Sequence, residues 1–272
     1  VSVSSLVGFG LPPRGLGAYV WQGEVPPGAW DFFAVQYTSR TLLRSLLDAG
    51  RTCWAFGGPS HWTPSTWRAT LATIDSMIAA DPRIAGLVAN PEESWRSASA
   101  DEARAFGEAL AARSRRYRVG VVTIPSQPHL ATLVAAAGDG VWWSIELYAH
   151  TAPPASFGAH AARWLAMIPR ARFSVTPAGF VPPTDLGRRT MATRESYRAY
   201  VDALPASSSA IVWGNNRTLR ERPWMLEELR RRFGALSTVP LAIAGFLTVH
   251  ALALASLVAV LVLAALVGPM VV

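Results

Sequence analysis

The sequence predicts an α/β chain: a closed (β/α)8 barrel followed by a C-terminal transmembrane helix. Three observations predict it. Eight short apolar stretches recur between residues 15 and 216, most with a helical pattern before the next. Many of these stretches are apolar on both faces, as strands become when helices cover the sheet. After Arg232 no Asp, Glu, Lys or Arg occurs, and residues 239–268 are almost wholly apolar.

The first strand is "GLGAYVWQ" (15–22), followed by a Pro- and Gly-containing loop and "WDFFAVQY" (30–37). Ser39 is positioned to cap a helix over 39–49, with Leu42, Leu43, Leu46 and Leu47 as its apolar stripe. The strand "RTCWAFGG" comes next. In "TPSTW", Thr63 reads as a cap and Pro64 as a first-turn residue, where a missing N–H is harmless. Trp67, Leu71, Ile74 and Ile78 then recur at helical spacing before a strand at 84–89. Ser99-Ala-Asp-Glu102 has the form of a capping box. Its helix runs to about Arg116 with Ala103, Phe106 and Leu110 on one side. "RVGVVTIP" (118–125), a helix near 129–137 and "GVWWSIELYAH" (140–150) follow. Ser156 starts a helix carrying Phe157, Trp164 and Ile168. The strand "ARFSVTPAG" leads to a Thr193-capped helix with Tyr197, Tyr200, Val201 and Leu204. "SSAIVWGNN" (208–216) closes the series. Eight units in so short a chain fit a slightly compact TIM barrel, with an open doubly wound sheet as the alternative. No G-x-G-x-x-G follows the first strand and no Walker loop occurs, so nucleotide-binding versions of the open sheet find no support.

The apolar tail is long enough, at about 1.5 Å per residue, to cross a hydrocarbon layer of about 30 Å. Leu, Ala and Val cover all its sides, and His250 is its one ionisable group. The opening "VSVSSLVGFGLPPRG" has no basic leader and only a short apolar run, unlike a secretion signal. Arg230, Arg231 and Arg232 flank the tail and favour the cytoplasmic side for what precedes them. The expected organisation is a barrel over 1–218, a basic juxtamembrane segment over 219–238 and a membrane tail over 239–272, the lipid bilayer being one partner.

Net charge is +7, from 25 basic and 18 acidic residues, and every basic residue is Arg. The densest basic clusters, 113–118 and 217–232, are interrupted by neutral or acidic residues, which reads as solvated helix faces and not as a nucleic-acid surface. Cys53 is the single cysteine, so no internal disulfide forms, and a lone Cys in an apolar strand reads as a small buried hydrophobe.

In a (β/α)8 barrel the C-terminal strand ends carry the active site. Here they offer Tyr19, Trp21 and Gln22; Gln36 and Tyr37; Trp54, Phe56, Ser60, His61 and Trp62; Asn90, Glu92, Glu93 and Trp95; Glu146, Tyr148 and His150; Thr176; and Trp213, Asn215 and Asn216. Carboxylates, amides and aromatic faces suit a polyhydroxylated ligand such as a glycan. Neither phosphate-binding glycines nor a dense His cluster is present. His61 and His150 lack the companions of a metal site, and no cofactor is expected. Substrate contacts are expected from Tyr19, Trp21, Tyr37, Asn90, Tyr148, Trp213 and Asn215.

Glycosidic cleavage needs one carboxyl that stays protonated and one that stays ionised. Glu146 lies between Ile145 and Leu147, and a carboxylate in so apolar a strand must be paired, protonated or functional. Asn90 and Glu92 share strand parity. Glu92 as proton donor and Glu146 as ionised partner is the sharpest reading. Because strands four and six are not neighbours, the larger gap of roughly 6.5–9.5 Å is expected between them, with Glu146 activating water or supporting a substrate-assisted step. Against this stand a solvated loop role for Glu92, an arginine partner for Glu146, and a solvated Glu93.

The segment Asn90-Pro91-Glu92 resembles the Asp-x-Glu motif ending strand four in the lysozyme-like muramidases of glycoside hydrolase family 25. That resemblance implies a peptidoglycan-cutting barrel with Glu92 as the acid and Glu146 in place of a strand-six Asp. The chain departs from the family at Asn90, where an Asp is expected, and in "GAYVWQ", which lacks the family's strand-one Asp. The expected function is a membrane-anchored glycosidase, phage lysins included, acting on a polysaccharide such as peptidoglycan. The alternative is a non-catalytic barrel that binds glycans or proteins at a membrane or in a phage particle.

Overall fold

Eight parallel strands close into a barrel in chain order: β1 (Gly15–Val20), β2 (Phe32–Gln36), β3 (Cys53–Phe56), β4 (Gly86–Ala89), β5 (Arg118–Thr123), β6 (Val141–Leu147), β7 (Phe173–Gly179) and β8 (Ser209–Gly214). Closure is made by β1 and β8, where Gly15 pairs with Ser209 and Ala18 with Val212. This computed structural model describes residues 10–21, 23–148, 153–182 and 184–234. Among them the helices are α1 (Arg40–Asp48), α2 (Trp67–Ala80), α3 (Ala100–Ser114), α4 (Leu130–Ala137), α5 (Phe157–Leu165), α6 (Asp185–Thr190), α7 (Arg194–Ala203), α8 (Asn216–Glu221) and α9 (Pro223–Phe233).

Strand alternation splits the apolar residues into two cores. Leu16, Ala18 and Val20 of β1, with Val119 and Val121 of β5, pack outward against the helices. Tyr19, Phe32, Ala34, Trp54, Phe56, Val88, Val122, Trp142 and Ile211 fill the barrel itself. Two glycines make room for that inner set. A Cβ on Gly17 would lie 2.1 Å from the Phe32 ring, and one on Gly120 would lie 2.1 Å from the Trp142 ring. Trp142 packs edge-on to Trp54 at 5.6 Å and has no slack to yield. Gly120→Ala is therefore expected to destabilise the fold by about 1–3 kcal/mol, a fall of several degrees in melting temperature by circular dichroism.

Local signals hold unevenly. Thr193 makes the full capping box with Ser196 at the start of α7. Ser99 accepts from the Glu102 amide, but the Glu102 side chain turns away to Trp67 Nε1 at 2.7 Å and to Arg68. Thr63 does not cap α2. Its hydroxyl bonds Thr66 Oγ1 at 2.8 Å in a turn, and the helix starts at Trp67.

The transmembrane expectation is corrected. Among the described residues no helix is long and apolar enough to cross a membrane. The longest of these, α3, has 15 residues and spans about 22 Å, short of about 30 Å. Residues 239–272, on which the expectation fell, lie outside the described residues. The membrane anchor, the bilayer as partner and the single-pass, cytoplasmic-side placement are therefore withdrawn.

The basic run that suggested orientation is engaged in the barrel. Arg230 donates to the Ala29 carbonyl at 2.6 Å, and Arg232 to that of Leu204 at 2.9 Å. Glu228, 1% exposed, accepts from Arg194, Arg198 and Arg231. These bonds, that from Arg198 foremost, hold its carboxyl well below the usual range. A depressed carboxyl stabilises the fold above its unfolded-state pKa, and that stabilisation is lost as pH falls. Glu228→Gln is expected to lower stability by about 2 kcal/mol at pH 7, moderated by the half-exposed arginines, with the deficit shrinking in acid denaturation series.

Candidate active site

β6 alternates so that Trp142, Ser144 and Glu146 point into the barrel while Trp143, Ile145 and Leu147 point to the helices. Glu146 is thereby delivered to the C-terminal mouth, 2% exposed. Asn90 continues the inward parity of β4 and is wholly buried. Pro91 ends the strand, and its carbonyl accepts the Thr123 hydroxyl. Asn90 Nδ2 donates to Glu92 Oε1 at 2.8 Å, which holds Glu92 over the opening.

The Glu92 and Glu146 carboxyls face each other closely enough for each to shift the other's pKa. In such barrels the inward residues of alternate strands share a layer, so β4 and β6 meet across the interior without being neighbours in the sheet. Burial, followed by repulsion from Glu92, pushes Glu146 well above the usual carboxyl range. Burial also raises Glu92, against the hydrogen bonds from Glu146 and Asn90. Two carboxyls in contact at low polarity retain one proton between them.

Among the described residues, three buried polar atoms here find no partner: Tyr19 Oη, Asn90 Oδ1 and Glu146 Oε1. Thr176 lies beside the Tyr19 hydroxyl, but no bond of ordinary geometry joins them; Thr176 instead bonds Ser144 at 2.8 Å. Burial, then the Glu146 and Glu92 charges, keeps the Tyr19 phenol protonated far above neutral pH. The site therefore offers a phenol donor, an amide acceptor and a proton-sharing acid pair.

Aromatic rings rim this polar centre. Tyr19 lies 4.7 Å from Phe56 and 4.9 Å from Trp213, and Trp21 lies 5.5 Å from Trp213. A cavity of about 410 Å³ opens beside them between the β1 and β8 loops, lined by Tyr19, Trp21, Glu24, Asn215, Asn216 and Arg220 among others. Asn215 also caps α8 through its Oδ1, which accepts from the Thr218 amide at 3.1 Å. Glu24 and Arg220 were not foreseen. Both lie in polar segments, and only barrel closure places those segments side by side.

Other expected residues lie elsewhere. Tyr37 is not part of that lining and packs edge-on against His61 at 5.0 Å. Trp95 is wholly buried and stacks on Phe106 at 4.9 Å. Trp62 is buried too, its Nε1 donating to the Gly57 carbonyl at 2.8 Å. Both are structural. Glu93 turns outward, accepting from Arg96 at 2.8 Å. Tyr148 is buried, and its hydroxyl's hydrogen bond acts to lower the Glu146 pKa. Gln22 and His150 lie outside the described residues, among which no cluster of three or more His, Cys, Asp or Glu could hold a metal.

No protein-family profile and no curated protein matches the chain. Among solved structures it is similar to a GH18 chitinase from Pseudoalteromonas aurantia, at TM-score 0.55 and 11% identity over 78% of this chain and 98% of that one. It is also similar to an endo-β-N-acetylglucosaminidase from Cordyceps militaris, at TM-score 0.55 and 13% identity over 84% of this chain and 94% of that one. The latter is a doubly substituted mutant in complex with fucosyl-N-acetylglucosamine-Asn. The chain has the glycoside-hydrolase-like (β/α)8 barrel fold, and these likenesses do not single out family 25.

Proposed function

We propose that the chain is a glycoside hydrolase that cleaves β-linked glycans at N-acetylhexosamine units. The observation that carries this reading is the pairing at the barrel mouth of Glu146, 2% exposed, with Glu92, which Asn90 holds over the opening. Glu92, nearer the opening, donates the proton to the leaving glycosidic oxygen. The pair holds one proton between them; with it on Glu92, the ionised Glu146 keeps it there by like-charge repulsion and opposes the positive charge that develops on the sugar.

Besides a protein nucleophile and a base-activated water, glycosidic cleavage has a substrate-assisted route, and the unpartnered Asn90 and Tyr19 atoms favour it here. The nucleophile is then the sugar's own acetamido oxygen. It bonds C1 as the C1–O bond breaks and the Glu92 proton passes to the departing oxygen. Water next attacks C1, returns a proton to Glu92, and releases the acetamido group with the original anomeric configuration.

The unpartnered atoms support this substrate. An acetamido N–H matches Asn90 Oδ1, and its carbonyl matches the Tyr19 hydroxyl, satisfying groups that are otherwise buried without bonds. The names of the two similar structures point to the same sugar class. The fungal one carries an Asp-to-Asn and a Glu-to-Gln change two positions apart, the spacing of Asn90 and Glu92. The test is hydrolysis by the full chain of β-1,4-linked N-acetylglucosamine oligomers and of the matching glucose oligomers. Cleavage of the first and not the second is expected. Equal cleavage of both would exclude the acetamido as nucleophile, and cleavage of neither would exclude the activity.

A further inference from the structure

We propose that the cavity between the β1 and β8 loops is a separate sugar subsite for an uncharged ring of the same glycan. This rests on the glycosidase reading. β4 and β8 lie four strands apart in a closed eight-stranded barrel, so a glycan that meets Glu92 crosses the mouth to reach Trp213 and the cavity. Tyr19 joins the two places. Its ring lines the cavity while its hydroxyl senses the Glu92 and Glu146 charges.

Trp21 supplies a fixed platform there. A Cβ on Gly58 would stand 2.2 Å from the Trp21 ring, so only a glycine lets the β3 loop pack against the indole. Phe56 at 5.9 Å and Trp213 at 5.5 Å hold it from other sides. An aromatic face held this way suits the C–H face of a sugar ring.

The rim is polar but balanced in charge. Arg217 Nε is bonded to Glu221 at 2.7 Å, and Asn216 Nδ2 to Glu24 at 3.0 Å. Arg220 stands 3.7 Å from Glu24, beyond ordinary hydrogen-bond length, which leaves donor and acceptor capacity for sugar hydroxyls. Each cation of the rim has a carboxylate beside it, so a neutral ring is favoured over a uronic acid.

The test measures kcat/KM for N-acetylglucosamine oligomers of two and five units, with binding of the pentamer followed by tryptophan fluorescence and calorimetry. Glu24→Ala, at an exposed position, and Asn216→Ala, at a half-buried one, are expected to lower the pentamer-to-dimer ratio of kcat/KM roughly fivefold to tenfold, about one hydrogen bond's contribution. Trp21→Ala is expected to lower it further and to remove most of the fluorescence change. An unchanged ratio in all three, with cleavage intact, would overturn the subsite alone. Pentamer binding that weakens in Glu24→Ala, in a chain that cleaves nothing, would support the subsite and remove the hydrolase reading. Tighter binding of a carboxylate-bearing oligomer than of the neutral one would overturn the charge argument.

Discussion

Glu92→Gln is expected to lower kcat on unactivated N-acetylglucosamine oligomers by roughly 10²–10⁴-fold. Gln keeps the shape and can keep the Asn90 bond with its amide oxygen, but has no carboxylic proton for the leaving oxygen. A substrate with a nitrophenol leaving group needs that proton less and should lose less rate. Glu93→Gln is the control. Glu93 is paired with Arg96 on the outside, so its loss should change turnover less than about twofold. Steady-state kinetics on both substrate types separates the acid role from a general loss of structure, which would lower both rates alike.

Glu146→Gln is expected to reduce turnover strongly and, in the same protein, to raise stability at alkaline pH. The sign follows from its raised pKa. A carboxyl pair that keeps one proton in the fold but loses both in the unfolded chain destabilises the fold as pH rises past the unfolded value, about tenfold in the folding equilibrium per pK unit of difference. Gln cannot ionise and escapes that loss. Without the Glu146 charge, Glu92 also gives up its proton at lower pH, so the alkaline limb of the kcat/KM profile should move to lower pH. Denaturant unfolding at pH 5 and pH 8, beside the pH–rate profile, checks both halves. A purely structural Glu146 would show the opposite, a less stable variant whose remaining activity keeps the wild-type profile.

The barrel was legible because period-two alternation and helical spacing are short-range signals, and eight repeats reinforce one another. Glu146 stood out because an ionisable group among Trp, Ile and Leu needs a reason to be there. Asn90 and Glu92 were read from their place at the end of strand four and from their shared parity. Their meeting with Glu146 was not, because contact across a barrel depends on layer sharing between alternate strands, which spacing along one strand cannot express. Trp62 and Trp95 were read with the strand ends, although tryptophan serves a helix interface as readily as a mouth. The segment 219–238 was read as a membrane flank because its arginines adjoin an apolar tail. In the fold those arginines bond Glu228, Asp202 and the carbonyls of Ala29 and Leu204. Such partners lie far away in sequence and leave no local trace.

The most direct test is proton NMR of the first turnovers of the full chain on the N-acetylglucosamine pentamer. An acid pair in contact, with the sugar's acetamido group as nucleophile, predicts that new reducing ends appear first as the β anomer and then relax to the mixture. A first-formed α anomer would mean that water attacks directly and the account of the Glu92–Glu146 pair is wrong. No new reducing end at all would mean that the pair does not cleave this glycan.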